Sequence, residues 1–237
     1  MKNLVMRLIA SAAFCLLLMP APGTAAPITS VYYSTGDALR TVDFDGTGFT
    51  SGFTELAPLI PSWTAMSYDP VAGLMYYAVG DSLRVVGFDG TAFTSGFTSL
   101  QPLIPGWTAM SYDPAADLMY YAIGGALRVV GFDGNIFTGG FTELAPLIPD
   151  WTAMSYDATA GLMYYATGNA LRVVGFDGTT FTSGFTELAS LNPDWTAMSL
   201  VFGAEPPGNI PEPGSLFLVT MGLIGLIGMR QKVQSTS

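Results

Sequence analysis

The chain has 237 residues, half of them apolar and only 11% charged, so it is too hydrophobic for a disordered protein and can fill a core. Its formal charge is −10, and residues 27–205 hold four arginines and no lysine against seventeen acidic residues, which excludes the phosphate backbone of nucleic acid as a partner. There is no histidine, and the single cysteine is Cys15, so residues 27–205 offer no thiol nucleophile, imidazole base or zinc site of the usual kind.

The first 26 residues have the parts of a secretory signal peptide. Lys2 and Arg7 form a basic start, and an apolar run at 8–19 follows that is too short to span a bilayer. The sequence Thr-Ala-Ala, ending at Ala26, then supplies the small residues of a cleavage site. We therefore predict a helical signal peptide at 1–26 and export of the rest of the chain.

The body of the chain is built from a 44-residue repeat. The sequence Trp-Thr-Ala-Met-Ser occurs four times and contains every tryptophan of the protein: Trp63, Trp107, Trp151 and Trp195. A fixed period of this size is typical of solenoids and propellers, so residues 27–203 count as one repeat domain.

Each repeat contains four short segments that are rich in strand-forming residues. In the repeat that begins at Trp107, Asp-Pro, Gly-Gly and Asp-Gly separate these segments. We expect the Asp-Gly pairs, which tolerate a positive φ, to form two-residue hairpins between the third and fourth strands. A unit of this length with four strands is typical of a propeller blade. It loosely resembles the WD-repeat blade, although the Trp-Asp and Gly-His signatures are absent.

The two ends of the repeat region predict how a ring would close. Val31-Tyr32-Tyr33 matches Met75-Tyr76-Tyr77 one period later, so the body begins at a second strand, and it ends with an unaccompanied first strand at 195–202. That last strand can complete the first sheet and remove its open edge. The sequence therefore predicts an all-β fold, a four-bladed β-propeller with the Trp-Thr-Ala-Met-Ser strands innermost. A propeller assembled from two chains and a β-solenoid remain alternatives.

A second targeting signal lies at the C-terminal end. After a Pro/Gly-rich linker at 204–210 come Pro211, Glu212 and Pro213, an apolar stretch at 214–229 and a short basic tail. This order resembles the PEP-CTERM sorting signal, here at 211–233. The sequence departs from the common pattern at Gly214, where many members have Ser or Thr.

The resemblance implies a Gram-negative bacterium that makes exopolysaccharide, and an exosortase-type membrane protease that cuts near Pro-Glu-Pro. Sixteen residues in a helix rise about 24 Å, which is close to the ~30 Å thickness of a bilayer core although slightly less. Together with the resemblance, this length leads us to expect a transmembrane helix at 214–229. The basic tail would stay in the cytoplasm. We expect an intermediate anchored in the inner membrane and then a place at the cell surface or in the extracellular matrix. A permanent anchor that is never cut is the alternative.

Four arginines are the only basic residues of the body and are candidate binding residues. They lie 44 residues apart, at Arg40, Arg84, Arg128 and Arg172. In a closed ring they become a fourfold set of guanidinium groups able to bind carboxylate or sulfate on an acidic polymer. The alternative is that each arginine pairs with an acid of its own or a neighbouring blade; the repeated glutamates are Glu55, Glu143 and Glu187.

The repeated acids predict neither a metal site nor a catalytic pair. Asp43-Phe44-Asp45-Gly46 resembles the start of a calcium loop, but the later repeats have Gly at the first position and no Glu follows at the twelfth. Glycosidases need two carboxyl groups with different pKa values, whereas near-identical repeats supply symmetric copies. We therefore predict no metal, no cofactor and no enzymatic activity.

Together these patterns predict a non-enzymatic exported surface or matrix protein that binds or organises extracellular polysaccharide. The link to polysaccharide comes from the C-terminal resemblance, with exposed aromatic rings as the sugar contacts. A protein-interaction platform in the cell envelope is the alternative, and a glycan-active enzyme is a third possibility.

Overall fold

The computed structural model describes residues 28–35, 38–59, 63–147, 151–191 and 195–202. Within these ranges the chain forms sixteen β-strands and no helix. In chain order the strands are β1 Ile28–Thr35, β2 Ala38–Val42, β3 Thr54–Pro58, β4 Trp63–Asp69, β5 Leu74–Val79, β6 Ser82–Gly87, β7 Thr98–Pro102, β8 Trp107–Asp113, β9 Leu118–Ile123, β10 Ala126–Gly131, β11 Thr142–Pro146, β12 Trp151–Asp157, β13 Leu162–Thr167, β14 Ala170–Gly175, β15 Thr186–Ser190 and β16 Trp195–Phe202.

The strands form four antiparallel sheets of four strands, which are the blades of a propeller. Blade I has the strand order β16-β1-β2-β3, and blades II, III and IV run in chain order from β4, β8 and β12. The first strand of each sheet contacts its counterparts in both neighbouring blades and also the one across the ring. The predicted four-bladed propeller with Trp-Thr-Ala-Met-Ser strands innermost is therefore confirmed.

The ring closes through the pairing of the first and last strands of the body. β1 lies antiparallel to β16, with Val31 opposite Leu200 and Tyr33 opposite Met198. The chain thus enters blade I at its second strand and returns at the end to supply the innermost one, as predicted. This pairing covers the inner edge of β1, which would otherwise have unpaired backbone groups.

A ring of side-chain hydrogen bonds joins the four innermost strands. The serine of each Trp-Thr-Ala-Met-Ser sequence accepts a bond from a backbone N–H in the next blade, so that every junction is crossed once. The bonds run from Tyr112 N–H to Ser67 (2.9 Å), from Tyr156 N–H to Ser111 (2.9 Å), from Leu200 N–H to Ser155 (3.1 Å) and from Tyr68 N–H to Ser199 (2.9 Å). All four serines are buried, where a satisfied hydrogen bond contributes about 1 kcal/mol.

The hydrophobic core is divided among the four junctions between blades. Successive residues of a strand face opposite sides of the sheet, so Tyr76 packs toward blade III while Tyr77 packs toward blade I. Each of the four core clusters therefore mixes side chains of two neighbouring blades. Because both faces of a blade are covered, its inner strands are almost continuously apolar, which explains the hydrophobic composition.

Aspartates stabilise the turn between the first and second strands of a blade. Asp69, the last residue of β4, accepts bonds at Oδ1 from the N–H groups of Val71 (2.9 Å) and Ala72 (3.1 Å). Asp113 and Asp157 make the same bonds in blades III and IV. The Asp-Pro turn predicted for the repeat that begins at Trp107 is present at Asp113-Pro114, and Asp69-Pro70 forms the same turn in blade II.

The Asp-Gly pairs adopt a different turn from the one expected. Phe88 and Phe93 form an isolated bridge around a four-residue loop, in which Gly90 has a φ of +96°. Phe88, at the start of this loop, is fully buried at 0% exposure. The loop therefore lies between a core residue and the fourth strand, β7, which begins only at Thr98. The expectation of a two-residue hairpin between the third and fourth strands is therefore wrong, although the positive φ at glycine is present in all four blades.

Three sequence predictions fall on residues that the structure does not describe. These are the signal peptide at 1–26, the linker at 204–210 and the sorting signal with its apolar helix at 211–233. Within the described ranges, the chain contains no helix of the length and hydropathy that a membrane crossing requires.

Candidate functional site

The four predicted arginines occupy equivalent positions on the third strand of each blade. In blade II, Arg84 lies opposite Tyr77 of the second strand and Ser99 of the fourth. Residues opposite each other in a sheet share a face, so each arginine lies beside a tyrosine of its own blade. The structure therefore does not gather the guanidinium groups at one point: it places one on each blade.

Three of the four arginines form an ion pair with a glutamate on the fourth strand. The pairs are Arg40 with Glu55 (3.3 Å), Arg128 with Glu143 (3.0 Å) and Arg172 with Glu187 (3.2 Å). These arginine side chains are 33–37% exposed and the glutamates 57–59%, so each pair contributes at most about 1 kcal/mol. The pairs lie within a blade and do not tie two blades together.

Each arginine lies next to a pair of stacked aromatic rings. In blade II the indole of Trp63 stacks on the Tyr77 ring, with centroids 4.0 Å apart and planes 10° from parallel. The other blades repeat this stack at 3.9–4.0 Å, between Trp107 and Tyr121, Trp151 and Tyr165, and Trp195 and Tyr33. The tryptophan begins the innermost strand and the tyrosine lies on the second, so the stack spans two strands.

One phenylalanine per blade completes this group at the surface. Phe97 meets the Tyr77 ring edge-on at 5.9 Å, and its counterparts do the same at 5.7–5.9 Å. These phenylalanines are 42–52% exposed, although every blade has a buried core for such rings. We term each set of four side chains an aromatic–arginine cluster: Trp195, Tyr33, Arg40 and Phe53 in blade I; Trp63, Tyr77, Arg84 and Phe97 in blade II; Trp107, Tyr121, Arg128 and Phe141 in blade III; Trp151, Tyr165, Arg172 and Phe185 in blade IV.

The cluster of blade I lines a shallow pocket that is open to solvent. Its four side chains line the pocket together with Thr35, and its volume is about 40 Å³, which is room for a few water molecules. The position of Thr35 is taken by Val79, Ile123 and Thr167 in the other blades. A shallow recess of this size suits part of a sugar ring or one anionic group, and not a whole small-molecule cofactor.

The clusters also concentrate polar atoms without hydrogen-bond partners. Among the described residues, the indole Nε1 of all four tryptophans is buried and unpaired, and so is the hydroxyl of three of the four tyrosines. In blades II and III the arginine Nε is in the same state. Buried donors of this kind each cost roughly 1–3 kcal/mol. These donors recur at the same place in the blades, and they lie beside the exposed phenylalanine rings.

Burial raises the pKa of the cluster tyrosines, and the adjacent arginine offsets part of that rise. For Tyr77 the opposing influence is Arg84, close enough for its charge to act, although the two groups do not meet hydrogen-bond geometry. The same opposition holds in the other blades. The hydroxyls therefore stay protonated at neutral pH and remain hydrogen-bond donors.

The repeated aspartates are occupied with backbone groups. Asp45 accepts bonds at Oδ1 from the N–H groups of Thr47 (2.8 Å) and Gly48 (2.9 Å), and these bonds lower the pKa of its carboxyl. The equivalent turns of the other blades hold their aspartates in the same way. In the described part of the chain, no three acidic residues converge as metal ligands do.

Sequence reasoning singled out the arginines but did not name the rings around them. It expected exposed aromatic rings as sugar contacts and did not distinguish the exposed phenylalanines from the buried ones. The available signal was the strict recurrence of Phe-Thr before the repeated glutamate, as in Phe53-Thr54-Glu55. That signal places a phenylalanine one residue before the fourth strand, where solvent reaches it.

Comparison with known protein families identifies the C-terminal signal. Residues 209–232 match the PEP-CTERM protein-sorting motif, a range that includes Pro211, Glu212 and Pro213. The chain therefore carries a sorting signal of the kind that exosortase-type machinery recognises, which implies export and membrane-associated processing. No curated protein matches the sequence.

Solved structures match the chain at low sequence identity. A 2S albumin seed protein from Dolichos matches with a TM-score of 0.50 and 12% identity, over 70% of this chain and 92% of the albumin. A hemopexin fold protein from cow pea gives 0.49 and 11%, over 70% and 91%. A chain of the Nidogen/Laminin complex gives 0.43 and 11%, and the match spans 65% of this protein and only 60% of that chain. At such identities the Dolichos match supports the fold alone.

Proposed function

We propose that this chain, an exported four-bladed propeller with a PEP-CTERM sorting motif, is a non-enzymatic surface or matrix protein that binds and organises extracellular polysaccharide through its aromatic–arginine clusters. The observation that carries the proposal is the exposed phenylalanine at the rim of a stacked Trp–Tyr pair, repeated in every blade. After export, an exosortase-type protease would process the tail at the inner membrane and release the body to the cell surface or matrix.

The chemistry of the clusters suits carbohydrate. The apolar face of a pyranose ring packs on an aromatic ring, while its hydroxyl groups need polar partners nearby. Phe53 supplies such a ring, and Arg40 and Thr35 supply donors in the same pocket. A phenylalanine needed only for packing would be buried like Phe44, which is 1% exposed.

Four similar sites, one on each blade of the ring, support binding to a polymer. Each site is shallow and makes few contacts, so we expect a single sugar unit to bind weakly. A polysaccharide presents many copies of that unit, and simultaneous engagement can raise the overall affinity by about 10² to 10⁴ without any new contact.

The arrangement of acids supports a non-enzymatic role. The glutamates nearest the clusters are paired with arginine in three blades, and the turn aspartates accept backbone bonds. Acid–base hydrolysis of a glycosidic bond requires two carboxyl groups in different environments, and the blades repeat the same environment.

Binding of purified residues 27–205 to a glycan array and to exopolysaccharide of the source strain tests the proposal. We expect saturable binding that falls at least about tenfold when the four cluster phenylalanines are replaced by alanine, because the ring contacts are lost. Val71→Ala is the matched control, since Val71 is 93% exposed but outside the clusters. Equal loss in both variants, or no binding to any glycan, would sink the proposal.

A protein-docking platform is the second candidate. It is favoured by exposed apolar side chains outside the clusters, namely Val71, Ile104 and Ile136. A stoichiometric complex recovered from crosslinked cell envelopes, together with absence of glycan binding, would support this function instead.

A further inference from the structure

Blade II breaks the fourfold symmetry at one charged position. The fourth strands of blades I, III and IV each carry a glutamate that pairs with the cluster arginine, whereas blade II has Ser99 in that place. The backbone register is unchanged, because Arg84 lies opposite Ser99 just as Arg128 lies opposite Glu143. The arginine is therefore held in the same place, but its carboxylate has been removed.

The Arg84 guanidinium consequently has no acidic partner among the residues that the structure describes. The Arg84 side chain is only half-buried, and the buried hydroxyl of Tyr77 lies beside it. In the other blades the arginine Nη2 contacts a carboxylate oxygen at 3.0–3.3 Å. The corresponding group of blade II is a cation that remains available to an external anion.

The surroundings of Arg84 favour a carboxylate that is attached to a sugar. Ser82 and Ser99 lie 2.8 Å apart through their hydroxyl oxygens, so one hydroxyl proton of the pair remains available to an acceptor. Phe97 presents a ring that is 42% exposed over the adjacent Tyr77. A guanidinium, a hydroxyl donor and an aromatic surface together match the carboxylate, hydroxyl oxygens and apolar face of a uronic acid.

We propose that blade II is a carboxylate-specific site, in which Arg84 binds the carboxylate of an acidic sugar while Phe97 packs against the sugar ring. The inference rests on the proposed function and assigns the acidic unit to one blade. The other three arginines are already neutralised, so their clusters take neutral units. The acidic groups of the body repel an anionic sugar, but this repulsion is screened beyond about 8 Å at physiological ionic strength. The direct contact with Arg84 therefore decides whether the carboxylate binds.

The test compares an oligoglucuronate with a neutral gluco-oligosaccharide of the same length by isothermal titration of residues 27–205. We expect the oligoglucuronate to bind tighter, at one site per chain. Ser99→Glu restores the ion pair of the other blades and should weaken this binding by about tenfold or more, because an internal carboxylate competes for the guanidinium. Glu143→Ser is the converse variant and should create a second site at Arg128.

Unchanged oligoglucuronate affinity in Ser99→Glu overturns the inference, and so does a Glu143→Ser variant that gains no second site. Both variants exchange residues that the repeat already accepts, and coincident thermal midpoints would verify their folding. Persistent binding of neutral glycans without any preference for the oligoglucuronate defeats this inference alone. Loss of binding to every glycan in the wild type defeats the proposed function as well.

Discussion

Asp117 adopts a backbone conformation that its counterparts leave to glycine. Its φ is +54°, the only positive φ of a non-glycine among the described residues. The same turn has Gly73 at +63° in blade II and Gly161 at +65° in blade IV. A side chain in the left-handed region costs roughly 1 kcal/mol, although aspartate tolerates it better than most residues.

Replacing this aspartate should stabilise the protein. We expect Asp117→Gly to raise the free energy of unfolding by about 0.5–1 kcal/mol, because glycine has no Cβ to clash in this region. Urea denaturation at constant pH measures the change. Gly161→Asp is the reciprocal control and should lower stability by a similar amount. A neutral or destabilising Asp117→Gly would show that the turn is not strained.

At the level of single residues, the sequence predicts the strand on which a residue lies better than it predicts the side chains that surround it. The spacing of Arg40, Arg84, Arg128 and Arg172 places them on equivalent strands, but it does not reveal which acid each guanidinium meets. Phe88, Phe93 and Phe97 occur close together in one connection, yet only Phe97 is largely exposed. Irregular backbone between two strands breaks the alternation that would otherwise separate buried from exposed side chains.

The Asp-Gly loop is an element whose stability depends on a charged side chain. The N–H of Thr180, then the hydroxyl and N–H of Thr179, donate to the Asp177 carboxylate and lower its pKa from 3.8 to about 2. A carboxyl with a depressed pKa in the folded state stabilises the fold above its unfolded pKa. That contribution is lost as the pH falls from about 4 to about 2.

We expect the thermal midpoint to decrease across this pH window, and to decrease less in Asp177→Asn. Asparagine keeps an acceptor oxygen for the loop but does not titrate, so the part of the decrease that comes from this loop should disappear. Thermal unfolding followed by circular dichroism at each pH gives the comparison. Val71→Ala, which changes an exposed side chain that does not titrate, should retain the wild-type slope. Identical slopes for all three proteins would contradict the assignment.

At the level of elements, strands were predictable where both faces of a blade are buried. Leu118–Ile123 is a short apolar run between turn residues, and it forms a strand as expected. The four-residue loop at Asp-Gly was not predictable, because the dipeptide indicates only that the chain turns and that glycine adopts a positive φ. It does not indicate that Phe132 is buried in the core before the fourth strand starts.

For the whole molecule, β16 should decide whether the ring forms. It supplies the innermost strand of blade I and takes part in two of the four serine bonds, through Leu200 and Ser199. We expect residues 27–191, which lack this strand, to lose cooperative thermal unfolding, because blade I then exposes an unpaired edge. Residues 27–205 are the control and should unfold in one transition. A cooperative transition in the shorter chain would show that closure is dispensable.

The architecture of the whole molecule was more predictable than its elements or single residues, because aligning the repeats shows which segments are equivalent strands. Once Val31-Tyr32-Tyr33 is aligned with Met75-Tyr76-Tyr77, the phase of the first blade follows, and so does the need for a returning strand. What the alignment could not supply is the consequence of a single exchange such as Ser99, because its effect depends on the side chain that lies opposite it.

The pairing of Ile28 with Phe202 places the beginning and end of the body side by side on one blade. We expect a load on a molecule still anchored by its C-terminal signal to enter the body at Phe202, beside the start of β1. A load directed away from β1 would break the backbone hydrogen bonds between the two strands in succession, which takes less force than shearing all of them at once. The strand that closes the ring would then also limit the load that an anchored molecule can bear.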